Sequence, residues 1–182
     1  MQRAIGMVEF SSIARGIYAA DQMVKVSEVE VVTASTSCPG KYIAIVHGDV
    51  AAVKTSIEAG EREAGEYLID SMVIPNVHPQ VFPAITGATC VDGIEALGIM
   101  ESFSIAAMLE TADAILKAAD LEGVELRLGN GLGGKSFFTY TGDVAAVKSG
   151  TAAGREIVEQ KGLMVNFEVI PSPSPILIQS LM

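Results

Sequence analysis

The sequence is poor in the residues that most often carry chemistry or bind nucleic acid. Its 182 residues include no tryptophan, two cysteines and two histidines, and 22 acidic residues outnumber 12 lysines and arginines, for a net charge of −10. Binding to nucleic-acid phosphates requires clustered lysine and arginine. This balance argues against DNA or RNA as a partner, and no serine-histidine-aspartate pattern suggests a hydrolase.

A secretory signal and a long uninterrupted hydrophobic run are also missing from the sequence. No basic segment followed by an apolar core opens the chain. The longest uncharged stretch, residues 71–91, contains three prolines, which do not suit a transmembrane helix. We therefore expect a cytoplasmic protein without a membrane partner, and in that compartment we do not expect a Cys38–Cys90 disulfide.

Hydrophobic residues nevertheless make up 49% of the chain, and the mean hydropathy is +0.41. Charged residues make up only 19%. Because small domains gain stability by burying surface against neighbours, we expect much of this apolar surface to lie in subunit contacts.

The most informative feature is an internal repeat. Residues 4–30 align without a gap on 96–122, and residues 40–60 align on 134–154 with the heptapeptide GDVAAVK identical. A repeat of this length indicates two related domains. A threefold assembly of such chains would have pseudo-sixfold symmetry. The predicted organisation is a first domain at 1–86, a linker at 87–94 and a second domain at 95–182.

Hydrophobic periodicity and turn residues predict the same order of elements, β-α-β-β-α-β, in both copies. This order is typical of the α+β class, as a ferredoxin-like or split-βαβ variant with an antiparallel sheet. The predicted strands of the first copy are 4–10, 29–34, 42–46 and 67–74, and its helices begin at residues 13 and 50. Pro75 ends the last strand of the first copy, and the proline-rich segments Pro75–Pro83 and Pro171–Pro175 occupy equivalent places in the two copies.

These features resemble the shell proteins of bacterial microcompartments. The similarity lies in the strand openings AIGMVE and ALGIME, in Lys25 and Lys117 at the ends of the first helices, in the glycine-containing β-β loops and in GDVAAVK. The chain is similar to the tandem-domain class, which forms homotrimers that imitate hexamers. The resemblance implies a structural shell protein rather than an enzyme, with its loops around a central pore. It also implies that other shell proteins pack laterally at edges that contain Lys25 and Lys117.

The first β-β loop contains Cys38-Pro39-Gly40, and this makes the chain similar to the tandem shell proteins that carry an iron–sulfur cluster. Such clusters are normally held by four thiolates, so two distant cysteines exclude a site within one chain. Three chains on a threefold axis would instead bring three Cys38 thiolates to a shared [4Fe-4S] cluster, with Ser37, Pro39 and Gly40 beside them. The resemblance implies electron transfer across the shell or cluster delivery, with an encapsulated redox enzyme as a further partner.

Other interpretations of Cys38 remain open. Zinc could use the same three thiolates with a water ligand, and a free loop thiol without metal is the simplest alternative. Lys41 and nearby hydroxyls could compensate thiolate charge. The second loop has Leu132 and Gly133 at the positions of Cys38 and Pro39, so the pore would be threefold rather than sixfold.

Two further functions compete with the shell hypothesis. Ferredoxin-like repeats also form oligomeric sensors, in which the glycine-rich loops would bind a small molecule. Alternatively, Cys38 could act as a nucleophilic thiolate in a redox protein. We expect structural roles for His47 and His78, which have no carboxylate at ligand spacing in the sequence, and we expect Cys90 to be a passive thiol that could be buried.

Overall fold

Each sequence repeat folds into a four-stranded antiparallel sheet with two long helices packed against it. The structure is a computed structural model that describes residues 4–161 and 163–181, apart from the side chains of 180 and 181. The first repeat contains β1 (Ala4–Phe10), α1 (Ile13–Val26), β2 (Glu30–Ser37), β3 (Lys41–Gly48), α2 (Val50–Ala64) and β4 (Leu68–Ile74). The second contains β5 (Ala96–Ser102), α4 (Ile105–Ala118), β6 (Glu122–Leu128), β7 (Ser136–Gly142), α5 (Val144–Gln160) and β8 (Met164–Ile170).

The strand order is the same in both sheets. It is β2-β3-β1-β4 in the first repeat and β6-β7-β5-β8 in the second, and every neighbouring pair is antiparallel. The predicted α+β fold, with two ferredoxin-like domains in tandem, is thereby confirmed. The predicted bounds of β1 and the predicted starts of α1 and α2 coincide with the observed ones. The other predicted strands of the first repeat begin and end within three residues of the observed bounds.

Local sequence explains where the long helices begin. The hydroxyl oxygens of Ser12 and Ser104 accept hydrogen bonds from the N–H groups of Arg15 and Ala107, respectively, and so cap α1 and α4. Each helix then turns small or apolar residues toward its sheet. In the first repeat this core includes the fully buried Val8, Phe10, Met23 and Val53.

The structure adds two short helices that the sequence analysis did not predict, one in or after each proline-rich segment. They are α3 (Val81–Thr86), after β4, and α6 (Pro175–Leu181), after β8. Both helices contain a proline near their start, where proline is tolerated because the first N–H groups of a helix have no intrahelical acceptor. Pro175 begins α6, and Pro83 is the third residue of α3.

The chain divides into two compact units whose borders differ from those of the repeats. Unit 1 comprises the described residues up to Val77 together with Gly129–Gly134, and unit 2 comprises His78–Leu128 and the described residues from Lys135 onward. The predicted first domain, 1–86, therefore includes α3, which the structure groups with unit 2. Within residues 4–161 and 163–181, no helix is both long and apolar enough to cross a membrane.

Candidate functional site

Cys38 lies at the turn that connects β2 to β3. Ser37 and Lys41 are paired across the hairpin, so only Cys38, Pro39 and Gly40 form the turn. Gly40 has a φ of +73°, which favours glycine at this position. The thiol is free and partly exposed. The hairpin therefore presents one sulfur per chain at the tip of its two strands.

The glycine-rich loop between β6 and β7 packs beside this turn, within unit 1. The N–H of Cys38 donates to the carbonyl oxygen of Gly129 at 3.0 Å. A Cβ atom added to Gly134 would lie 3.4 Å from Cδ of Pro39 and 3.5 Å from the carbonyl oxygen of Cys38. The sequence indicated both loops but not this contact, since nothing in the repeat pattern shows that the two loops touch.

Lys41, next to the turn, pairs with a carboxylate of the neighbouring strand β1. Its Nζ atom donates to Oε1 of Glu9 at 2.8 Å, and the Glu9 side chain is only 5% exposed. Lys135 makes the same ion pair with Glu101 in the second repeat, where the loop has no cysteine. The lysine is therefore engaged by a strand carboxylate in both repeats, and its role in compensating thiolate charge stays a prediction.

The residues around Cys38 fit one ligand position of a metal centre and no more. In the described part of the chain, no group of three or more His, Cys, Asp or Glu side chains is placed to hold a metal ion. Cys38 belongs to unit 1, whereas Cys90 belongs to unit 2 and is exposed rather than buried. The Oγ atom of Ser37 is buried and has no hydrogen-bond partner among the described residues. The donor set agrees with a shared site in which each chain contributes one thiolate.

Lys25 and Lys117 occupy equivalent positions in the last turns of α1 and α4. The Nζ atom of each contacts Oδ2 of the aspartate four residues earlier, Asp21 or Asp113, at 2.6 Å. Lys25 has a side chain that is 65% exposed, compared with 42% for Lys117. Both lysines thus lie at the surface, and their role at the edge of a disc stays a prediction.

The two histidines have partners that the sequence did not reveal. Strand pairing places His47 opposite Glu30, with Nε2 3.5 Å from the carboxylate oxygen. The backbone N–H of His78 donates to Oδ1 of Asp113 at 2.7 Å. Burial lowers the pKa of His78, Lys117 lowers it further, and Asp113 opposes the change. Both contacts join residues distant in sequence, so only the folded register brings them together.

A surface cavity of about 390 Å³ lies between α5 and β8 in unit 2. Phe167 and Val169 contribute apolar side chains to its lining, and Arg155 lies over the Phe167 ring while it pairs with Glu159. Neither glycine-rich loop contributes to this cavity. The predicted small-molecule site at those loops therefore receives no support from it.

Comparison with known proteins shows which family has this architecture. The model of the BMC domain matches residues 4–77 and again residues 96–173. The chain is 41% identical over 173 residues to the bacterial microcompartment shell protein PduT of Citrobacter freundii, covering 95% of this chain and 94% of that protein. It is 38% identical over 81 residues to the shell protein EutM of Salmonella typhimurium, covering 44% of this chain and 81% of that one.

A solved structure agrees with this assignment. The crystal structure of a microcompartments protein from Desulfitobacterium hafniense DCB superimposes with a TM-score of 0.94 at 49% identity, covering 98% of this chain and 99% of that one. The chain belongs to the BMC-domain family of bacterial microcompartment shell proteins, and it contains two such domains in tandem. The resemblance inferred from the repeat is thereby confirmed.

Proposed function

We propose that this shell protein assembles as a pseudohexameric homotrimer in which Cys38 of three chains binds one [4Fe-4S] cluster at a central pore. The cluster would transfer electrons across the shell or be delivered to an encapsulated redox enzyme. Other shell proteins would pack laterally at edges that include Lys25 and Lys117. The role is structural and not enzymatic, in keeping with relatives that are named shell proteins.

One observation carries this proposal: a single thiol lies at a hairpin tip, in a chain whose described residues form no complete metal site. The equivalent loop of the second repeat has no cysteine. A trimer therefore collects three thiolates, whereas six identical domains would collect six. Three protein thiolates leave one iron of a four-iron cluster for another ligand, since four ligands are usual.

The cluster, when bound, supplies one-electron transfer at a potential that hydrogen bonds to its sulfurs help to set. The two nearest backbone groups cannot donate to the Cys38 sulfur. The N–H of Cys38 is engaged by Gly129, and Pro39 has no N–H. The hydroxyl of Ser37 is a buried donor without a partner in the described residues. Donors to the sulfur would therefore come from Ser37, Gly40 or a neighbouring chain.

The direct test is anaerobic purification followed by iron and acid-labile sulfide analysis and electron paramagnetic resonance of the reduced protein. We expect a cluster signal in the wild type and its complete loss in Cys38→Ser, because serine removes every thiolate ligand. Cys90→Ser, the matched control, should keep the signal.

Three outcomes would contradict the proposal. A cluster that survives in Cys38→Ser would exclude the assigned ligand. Zinc in place of iron in anaerobic wild-type protein would support the alternative metal. A protein without metal would support a free thiol or a redox function of Cys38, and a reactive thiolate would then show rapid alkylation at neutral pH.

A further inference from the structure

The loop between β6 and β7 contains an asparagine followed by a glycine. The backbone nitrogen that follows an asparagine can attack the side-chain amide carbon, and glycine hinders this attack least because it has no side chain. The chain has three asparagines, and only one of them precedes a glycine: the pairs are Asn76-Val77, Asn130-Gly131 and Asn166-Phe167. The sequence therefore singles out Asn130 for chemistry at its amide.

The structure leaves both reacting groups of this pair unengaged. The Asn130 side chain is exposed, and within residues 4–161 and 163–181 neither this side chain nor the N–H of Gly131 has a hydrogen-bond partner. Gly131 has a φ of +73°, and a Cβ atom added there would meet no heavy atom within 4 Å. Among the described residues, neither packing nor a hydrogen bond opposes the approach of the Gly131 nitrogen to the Asn130 amide carbon.

The other two asparagines are placed differently and serve as references in the same molecule. Nδ2 of Asn166 donates to Oε1 of Glu168 at 3.4 Å within β8, and the residue that follows Asn166 is the bulky Phe167. Asn76 is followed by Val77, which is only 5% exposed and whose β-branched side chain crowds its own backbone nitrogen. We therefore expect both amides to react slowly.

The position of Asn130 connects this chemistry to the Cys38 turn. Gly129, the residue before it, accepts a hydrogen bond from the N–H of Cys38 at 3.0 Å, and Gly134 in the same loop lies beside Pro39. All of these residues belong to unit 1. A change in the length of the main chain at residue 130 would therefore act directly on the carbonyl group that holds the turn.

We propose that Asn130 is a site of spontaneous deamidation, and that its conversion to isoaspartate loosens the contact between this loop and the Cys38 turn. The inference goes beyond the proposed function and requires neither a trimer nor a cluster.

The reaction needs only water as a co-reactant. The Gly131 nitrogen forms a bond to Cγ of Asn130 and loses its proton, while the bond from Cγ to Nδ2 breaks and the side-chain nitrogen leaves as ammonia. Water then opens the cyclic imide at either carbonyl, which gives aspartate or isoaspartate, and no atom is oxidised or reduced. Both products carry a new carboxylate, and isoaspartate also lengthens the main chain by a methylene group.

Incubation of the full-length protein at mildly alkaline pH, in water enriched in heavy oxygen, tests the deamidation. Digestion in unlabelled acidic water and peptide mapping by mass spectrometry then report only the conversion that occurred during the incubation. We expect Asn130 to react roughly tenfold faster than Asn76 and Asn166, or more, chiefly to isoaspartate. A rate at Asn130 equal to the other two, or fast conversion only after unfolding in urea, would overturn the proposal.

Two matched variants check the assigned position. Asn130→Gln should abolish labelling of the loop peptide, because the longer side chain must close a larger ring. Asn166→Gln should leave labelling at Asn130 unchanged. Labelling of the loop peptide that persists in Asn130→Gln would contradict the assignment.

Hydrogen exchange of the peptide that contains Cys38 tests the loosening of the turn. After conversion of residue 130, exchange should be roughly fivefold faster than in fresh protein, because the hydrogen bond to Gly129 is weakened or lost. Asn130→Asp should keep the rate of fresh protein, since it adds the carboxylate without the methylene, and incubated Asn130→Gln should keep it too. Unchanged exchange after conversion would overturn the loosening, and faster exchange in either variant would show that isoaspartate is not its cause.

Discussion

The two repeats share a strand order and a helix arrangement but differ in three places. The first hairpin ends in Cys38-Pro39-Gly40, whereas the second ends in a longer glycine-rich loop. The helix α1 exposes apolar residues that are buried in α4. The segment after β4 is packed in unit 2, and the segment after β8 is exposed.

These differences show what duplication permits. In a ring of six identical domains, a change in one loop or one tail would appear at six positions. With two domains per chain, the loop of one domain can acquire a thiol while the loop of the other takes a different role. Here the second loop packs beside the turn that contains the thiol, through the hydrogen bond from the N–H of Cys38 to Gly129. Three pairs of equivalent residues, two in the interiors and one at the helix N-termini, test how similar the two repeats are.

The largest difference is expected at the paired glycines of β1 and β5. A Cβ atom on Gly98 would overlap the ring of Tyr140, whereas one on Gly6 would lie 2.6 Å from Cγ1 of Ile57 and 2.7 Å from Cγ1 of Val53. A rigid buried aromatic ring can move aside less than aliphatic side chains to make room for the added Cβ atom. Gly98→Ala should lower the free energy of unfolding by about 3 kcal/mol or more, and Gly6→Ala by about 1–3 kcal/mol. Urea denaturation measures both, and an equal or larger cost at Gly6 would contradict the comparison.

An intermediate effect is expected at Tyr140, whose counterpart in the first repeat is Val46. The Tyr140 hydroxyl lies 2.6 Å from Oγ1 of Thr151 in the buried interior. Tyr140→Phe should therefore cost about 1 kcal/mol, the net value of a typical hydrogen bond.

The same residue predicts a pH dependence. Burial raises the pKa of Tyr140 to about 12, although the hydrogen bond to Thr151 opposes this change. The folded protein thus holds the proton more tightly than the unfolded chain. The contribution of protonated Tyr140 to the free energy of unfolding is therefore fully present below the ordinary tyrosine pKa of about 10, and it is lost as pH rises from about 10 toward 12. Tyr140→Phe should reduce this alkaline loss in urea titrations, and Tyr42, whose pKa burial also raises, should account for part of the remainder. An unchanged alkaline profile would contradict the assignment.

The last comparison, with expected effects of about 1 kcal/mol and less, lies within the identical heptapeptide GDVAAVK. Oδ1 of Asp143 accepts from the N–H of Ala146 at 2.7 Å and caps α5, whereas Asp49 makes no side-chain cap to α2. Asp143→Ala should cost about 1 kcal/mol of unfolding free energy. Asp49→Ala should cost less than half of that, because only its interaction with the helix dipole is lost. Thermal unfolding of the two variants measures both losses. Equal losses would show that the hydrogen bond from Ala146 to Asp143 does not stabilise α5.

Most of the fold could be predicted from the sequence, because the spacing of hydrophobic residues and the positions of turn residues indicate the same order of strands and helices in both repeats. The strand β1 is apolar throughout apart from glycine and Glu9, and it is buried at every residue. The helices α3 and α6 were not predicted, because segments of six or seven residues that contain prolines are too short to show a helical spacing of hydrophobic residues. Their existence depends on packing and on the tolerance of early helix turns for proline.

The candidate site was less predictable than the fold. The position of Cys38 in a β-β loop followed from the flanking strands. The contact with Gly129 and the pairing of Lys41 with Glu9 did not, because each joins residues from different strands or loops. Lys41 is close to Cys38 in sequence, and the antiparallel pairing of β1 with β3 is what brings its ammonium to the nearly buried carboxylate of Glu9.

Native mass spectrometry of anaerobically purified protein tests the central claim most directly, because it counts chains and iron atoms in the same particle. The account predicts three chains with one cluster of four irons and four sulfides in the wild type, and three chains without a cluster in Cys38→Ser. A cluster on a single chain, more than one cluster per three chains, or a cluster retained in Cys38→Ser would contradict it.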